Sequence, residues 1–289
     1  MVETIVLKGT TVANKIKDEL KKELIELSKI GIYPKLAILR IGEDPSDLAY
    51  ERGITKNADK IGLDYCIDVL DENVSHEEYV ENLNRLNNDE SVSGILLFRP
   101  FPKHFKPKEI YNTIAEEKDV DCLNSRNLGK IFEGDLSGLT PCTPWAVIEL
   151  LKYYDIQMAG QNVCVINRSL VVGKPLSMML LEYNATVTIC HTSTEPEKIK
   201  KYSRNADIVV CATGNAKMFD SSYFTEESIV IDVGMSMDED GNMSGDVDFD
   251  EVNGKVPFIT PVFGGIGPVT TTGLLRNTIR AEKRKHNLG

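Results

Sequence analysis

A cysteine framework is missing from this chain. Its six cysteines, Cys66, Cys122, Cys142, Cys164, Cys190 and Cys211, lie far apart and form no C-x-x-C pair. Neither a disulfide scaffold nor a zinc site is therefore expected. Several sit inside apolar runs such as NVCVIN and TVTIC, which suits small, buried, reduced thiols. The amino terminus, MVETIVLKGT, lacks the basic start and long apolar stretch of a signal peptide. No apolar run approaches the roughly eighteen residues needed to cross a bilayer. An excess of positive charge is absent as well, with 33 basic residues against 44 acidic ones and a net charge of −11. Nucleic acid and membrane are thus not expected partners, although a local basic pocket for a phosphorylated ligand stays open. Glycine (21) and proline (12) are too few and too scattered for a collagen-like or low-complexity chain. The expectation is a soluble, cytoplasmic protein.

What the chain does have is the composition and rhythm of a globular α/β protein. Its 289 residues are 42% hydrophobic and 27% charged, enough for one large domain or two ordinary ones. Residues 11–30 place Val12, Ile16, Leu20, Leu24 and Leu27 at helical spacing, with charged residues between them. Gly31 stops that helix, and KLAILRIG (35–42) reads as a buried strand. A helix ending near Gly62, a strand at LDYCIDVL, a helix near SHEEYVENLNRLNND and a strand at VSGILLF follow. The order resumes after the helix of TPCTPWAVIELLKYY with strands NVCVIN, ATVTIC, ADIVVCAT and SIVIDVG. Repeated strand-then-helix order predicts α/β lobes built on doubly wound parallel sheets. The expected division is 1–140 plus 269–289 for one lobe and 141–268 for the other, the last helix returning to the first.

The segment NVCVIN-RSLVV-GKPLSMMLLEY reads as strand, loop and helix, with Gly173 in the helix's first turn. A doubly wound domain presents amides to a pyrophosphate at such a place. The usual G-x-G-x-x-G is absent, because Asn167 and Ser169 hold the first two glycine-like positions. Asparagine tolerates left-handed backbone, so a tight turn at Asn167 is allowed. The next strand ends in His191-Thr192-Ser193-Thr194 rather than in a carboxylate that would bind a ribose diol. With Arg168 and Ser169 nearby, this leaves room for a 2′-phosphate. CATGNA (211–216) and IDVGM (231–235) each put a glycine just past a strand, which brings in Thr213, Gly214, Val233 and Gly234. In TPVFGGIGPVT (260–270), Gly264, Gly265 and Gly267 precede Pro268, which is expected to open the last helix with Thr270 in its first turn.

Ten segments in this order, GEDPSDLAY, SGILLFRPFP, EKDVDCLN, LTPCTP, NRSLVVGKP, ATVTICHTST, ADIVVCATG, IVIDVG, GDVDF and TPVFGGIGPVT, resemble the methylenetetrahydrofolate dehydrogenase/cyclohydrolase family over nearly the whole chain. The resemblance implies a folate-binding catalytic lobe and a Rossmann-type NAD(P)-binding lobe with a cleft between them, a tetrahydrofolate substrate, an NADP or NAD cofactor and a homodimer. It assigns Tyr50 to stacking on folate, Asp121 to holding the pterin, and Gly267 and Thr270 to the loop that closes on folate and nicotinamide. Asn167, Arg168, Ser169, Gly173, Pro175, His191, Thr213, Gly214, Val233 and Gly234 fall to the cofactor.

Three positions depart from the family's pattern. The lysine four residues after the tyrosine is Ile54, the glutamine before the L-P-L-P run is Phe98, and the proline of T-P-V-P-G-G is Phe263. Lys56 is two positions beyond the family's lysine, a turn of roughly 200° on a helix, so it is expected to point away. Hydride transfer needs alignment, which Tyr50, Asp121 and the glycine loop can supply. Water addition needs a titratable group, which Ile54 and Phe98 are not. The expectation is a dehydrogenase with weak or absent cyclohydrolase activity, with NADP slightly favoured. Family members without the lysine are dehydrogenases lacking the second activity, and some of them prefer NAD. A bifunctional enzyme with a substitute group, such as Thr55 or Arg52, a silent folate- or nucleotide-binding homologue and a dehydrogenase for another small substrate are the alternatives.

Overall fold

The computed structural model describes residues 3–288, and the chain divides into two compact units. One comprises Asn14–Cys142 and the chain from Thr271 onward, and the other comprises the residues up to Ala13 and Thr143–Thr270.

In chain order the elements begin with β1 (Ile5–Val6), α1 (Gly9–Lys29), β2 (Lys35–Ile41), α2 (Pro45–Ile61), β3 (Asp64–Leu70), α3 (His76–Asn88) and β4 (Gly94–Leu97). Next come α4 (Pro107–Thr113), α5 (Ser125–Phe132), α6 (Cys142–Tyr153), β5 (Asn162–Ile166), α7 (Gly173–Glu182) and β6 (Thr186–Cys190). The chain finishes with α8 (Pro196–Arg204), β7 (Ile208–Cys211), β8 (Ile229–Asp232), a hairpin of β9 (Ser236–Met237) and β10 (Met243–Ser244), α9 (Phe249–Val252), β11 (Phe258–Ile259) and α10 (Ile266–Lys285).

The first unit carries a parallel three-stranded sheet in the order β3-β2-β4. The helix between β2 and β3 starts and stops where local chemistry dictates. The Asp44 carboxylate accepts from the Ser46 and Asp47 amides, Pro45 opens the first turn, and Gly62 closes α2 with φ +79°. Its inner face, Ile54, Ala58 and Ile61, packs with Leu36, Ile38, Leu96, Phe98 and residues of α1 and α10 in one apolar core. Asp119 bridges Ile95 in parallel, so the chain past it emerges at the carboxyl end of β4.

The other unit holds a six-stranded, all-parallel sheet in the order β1-β11-β8-β7-β5-β6. From β5 the chain goes to β6 on one side and then to β7 on the other. The loops after β5 and β7 therefore part at a switch point, where this architecture opens a crevice. The N-terminal strand differs from the sequence reading, which grouped residues 1–140. Ile5 and Val6 pair with Phe258 and Ile259, held by the Ile5 amide on Pro257 O and the Leu7 amide on Ile259 O (2.8 Å each), with Leu7 fully buried. No described helix is long and apolar enough to cross a membrane.

Candidate active site

A cavity of about 530 Å³ lies at the carboxyl ends of β2 and β4 in the first unit. Tyr50 reaches it from α2, Phe98, Arg99 and Phe101 from the segment after β4, and Asp121 from the turn after the Asp119 bridge. The structure thus brings Tyr50 and Asp121 to one wall. The Tyr50 ring lies 5.5 Å from the Phe98 ring, tilted by 40°, and is 43% exposed, which leaves a face for a flat ligand. Burial, and then the nearby charge of Asp121, push its hydroxyl upward, so the phenol stays protonated and can donate a hydrogen bond.

Asp121 receives a hydrogen bond on Oδ2 from Arg99 Nη2 at 2.6 Å. Burial raises its carboxyl, while the Arg99 charge and a hydrogen bond from Cys142 oppose that rise. Neither partner is assigned to the site from the sequence. Arg99 could have been found, because it opens an R-P-F-P run where the family reads L-P-L-P. Asp119 was missed too, although D-V-D repeats the residue type. Fully buried, it accepts from the Leu123 amide (2.9 Å), the Asn124 amide (2.8 Å) and Asn127 Nδ2 (2.9 Å). Burial takes it to about 6 against those donors. It closes the turn that presents Asp121.

Ile54 has no exposed surface and belongs to the apolar core, as does Phe98 at 6% exposure. Burying each is worth roughly 1.5–3 kcal/mol. Lys56 is exposed on α2, as its helical phase predicts. Thr55 Oγ1 is bonded to Glu51 O at 3.0 Å on its own helix, and neither Thr55 nor Arg52 lines the cavity.

A second cavity, of about 430 Å³, opens at the switch point of the other unit. Asn167, Arg168, Ser169, His191 and Thr213 line it, with no carboxylate among its lining residues. The tight turn is not made as expected, since Asn167 is not among the positive-φ residues. Its side chain makes the turn instead. Asn167 Oδ1 accepts from the Ser169 amide (2.7 Å) and the Gly173 amide (3.0 Å), and Nδ2 donates to the Ala212 carbonyl. Gly173 is required because a β-carbon there would overlap the Asn167 carbonyl. Pro175 is buried in the first turn of α7. Arg168 Nη2 reaches Ser193 Oγ at 3.4 Å, and His191 Nδ1 accepts from the Ser193 amide at 3.2 Å.

Two further carboxylates, unassigned from sequence, shape this crevice. Buried Asp246 accepts from the Thr213 and Asn215 amides, which fixes Gly214 between them. Asp232 accepts from the amides of Gly234 (2.9 Å) and Val247 (2.9 Å). Burial chiefly, with some help from the Asp246 charge, pushes it up to about 7. A β-carbon at Gly234 would strike Asp246, and one at Gly245 would strike Asp232, which explains both glycines of the IDVG and GDVDF segments. Gly173, Pro175, Gly214, Val233 and Gly234 are not among the residues that line the cavity.

Gly267 and Thr270 do not meet Tyr50 and Asp121 within one unit. The last helix starts at Ile266, so Gly267 and Pro268 both lie in its first turn. The tight turn belongs to Gly264, at φ +76°, and to Gly265, which packs against Pro261 O and leaves no room for a side chain. Phe263 is exposed.

Comparison with known proteins gives consistent matches over both units. A model of the tetrahydrofolate dehydrogenase/cyclohydrolase catalytic domain matches residues 7–121, and one of the corresponding NAD(P)-binding domain matches residues 141–286. The Bifunctional protein FolD of Clostridium botulinum (strain Langeland) is 50% identical over 281 residues, spanning 97% of this chain and 99% of the relative. The bifunctional enzyme FolD, methylenetetrahydrofolate dehydrogenase/cyclohydrolase, of Campylobacter jejuni superposes with a TM-score of 0.94 at 38% identity, over 98% of this chain and 99% of that one. The Trypanosoma brucei methylenetetrahydrofolate dehydrogenase-cyclohydrolase, solved with NADP cofactor and inhibitor, gives 0.93 at 33% identity over 99% of each chain.

Proposed function

The chain belongs to the tetrahydrofolate dehydrogenase/cyclohydrolase family, and we propose that within it this is an NAD(P)-dependent methylenetetrahydrofolate dehydrogenase whose cyclohydrolase step is weak or absent. The supporting observation is the hydrocarbon at Ile54 and Phe98, both part of the core that backs the cavity. Adding water to a methenyl carbon and releasing one nitrogen requires a positioned group that takes and gives a proton. Removing such a group costs about two to four orders of magnitude in rate.

The dehydrogenase step makes no such demand. When bound, the nicotinamide cofactor accepts the hydride from the methylene bridge. The positive charge left on the folate is shared by its two flanking nitrogens, so no side chain has to remove a proton. Tyr50 offers its exposed ring face to the pteridine, and Asp121 accepts hydrogen bonds from it. These contacts hold the reacting carbon in place, which is a contribution of alignment. Turnover of methylenetetrahydrofolate, followed at the wavelengths of both products, is expected to accumulate methenyl-folate in step with reduced cofactor. Loss of methenyl-folate faster than its spontaneous hydrolysis would show that water activation survives and that Ile54 has been misread.

The residues of the second cavity fit the cofactor. Gly173 lets the loop fold tightly against Asn167, and Arg168, Ser169 and His191 supply donors without a competing carboxylate. This composition favours NADP over NAD. Arg168→Ala is expected to raise KM for NADP about tenfold and to leave KM for NAD within about twofold, since one charge-assisted contact is worth roughly 1.5–3 kcal/mol. Equal effects on both cofactors would remove Arg168 from the 2′-phosphate. A homodimer is the assembly this reading carries, and light scattering gives its mass.

A further inference from the structure

Arg99 has more donor capacity than its ion pair uses. Its Nη2 is bonded to Asp121 Oδ2, while Nε is buried without any partner and Nη1 makes no hydrogen bond within the described protein. A guanidinium and a carboxylate can join through two parallel bonds, fork to fork. Here only one tooth is engaged, so the rest of the Arg99 fork is left over, and the Asp121 carboxylate keeps acceptor capacity beside its bonds from Arg99 and Cys142. Both residues line the same cavity, about a quarter of the Arg99 side chain and a seventh of the Asp121 side chain remaining accessible there. The cavity wall thus carries one acceptor immediately beside one donor.

We propose that Arg99 and Asp121 act together as a reader of the pteridine's amino-pyrimidinone edge, with Arg99 the specificity-determining residue for the 4-oxo group. The inference rests on the folate reading above and deepens it. Along that edge a 4-oxo pteridine offers two donors, the 2-amino group and N3–H, followed by one acceptor, O4. The Asp121 carboxylate accepts from the donors, and the unused part of the Arg99 fork donates to O4. A pteridine with a 4-amino group offers a donor where Arg99 also donates and, having lost N3–H, an acceptor where Asp121 accepts, so it is mismatched to both side chains of the wall. Rejection of this kind is strong because it leaves a buried polar group unpaired. The arrangement also gives Arg99 a reason to sit in a run that otherwise reads L-P-L-P. Leucine would back a pterin with hydrocarbon, whereas arginine adds a second reading group and a counter-charge for Asp121.

The test is calorimetric titration of two ligands, folic acid and 4-amino-4-deoxyfolic acid, which differ at C4 and in the N3 proton, against the wild-type protein, Arg99→Leu and Arg99→Lys. Thermal melts confirm that each variant is folded. The wild type is expected to bind the 4-oxo compound about a hundredfold more tightly than the 4-amino one. Arg99→Leu should lose about tenfold of that ratio, chiefly through weaker 4-oxo binding, while the mismatch of N3 with Asp121 keeps the rest, and Arg99→Lys, which keeps the charge without the planar fork, should fall between. A wild-type protein that binds the 4-amino compound as tightly overturns the proposal whether or not any variant folds. So does an Arg99→Leu protein that loses both ligands equally, the mark of a counter-ion that only supports Asp121. If neither compound binds the wild type at all, the folate reading itself fails, a result distinct from either of these.

Discussion

Replacing Asp121 with alanine is expected to lower kcat/KM for methylenetetrahydrofolate about a thousandfold and to leave cofactor affinity within about twofold. Truncating one member of a mostly buried, hydrogen-bonded charge pair costs roughly 2–5 kcal/mol, and a tenfold change in rate is about 1.4 kcal/mol. The variant removes the acceptor for the pteridine's donors and also leaves the Arg99 guanidinium without its counter-charge on a wall that water barely reaches. Asp121→Asn separates these two effects, since it keeps the shape and loses the charge. Steady-state kinetics with a parallel cofactor titration decide the matter. A loss below about tenfold would mean that Asp121 serves the loop rather than the ligand.

The second large effect belongs to the other unit. Gly173→Ala is expected to raise KM for the nicotinamide cofactor at least about a hundredfold while lowering Tm by only a few degrees. The added methyl group overlaps the Asn167 carbonyl, which is backbone and cannot swing aside as a side chain would. The clash is relieved only by moving the loop 167–172, and that loop is built on two hydrogen bonds into Asn167 Oδ1, one of them from Gly173 itself. Folding survives because α7 still packs on the sheet through Leu176, Met179 and Leu180, all buried. An unchanged KM would show that the loop relaxes without disturbing the crevice.

Residue types carried most of the scaffold. The spacing of Val12, Ile16, Leu20, Leu24 and Leu27 gave α1 to within two residues, and the apolar runs gave the buried strands, because burial imposes a period on the sequence. Strand β1 was not legible, since two residues have no period and Ile5–Val6 owes its form to β11, far away in sequence. The same division holds in the sites. Tyr50 and Asp121 were singled out through the resemblance carried by GEDPSDLAY and EKDVDCLN, and both line one cavity. Arg99 escaped because its meaning depends on a partner 22 residues away. Asp119, Asp232 and Asp246 escaped because they bind backbone amides, and an amide leaves no mark in a sequence. Asn167 was found for the wrong reason, as a residue tolerant of left-handed backbone, whereas its side chain does what the missing glycines would have done.

The pairing of β1 with β11 imposes an order on events during synthesis. Ile5 leaves the ribosome early, yet its partner Phe258 is about 250 residues behind, a wait of roughly 10–50 s at ordinary elongation rates of about 5–20 residues per second. Throughout that interval the nascent chain can assemble β5, β6, β7 and β8, but the far margin of their sheet must stay open until the C-terminal stretch arrives. Strand β1 is thus among the last to be stitched in, held unengaged while about 250 residues are made behind it.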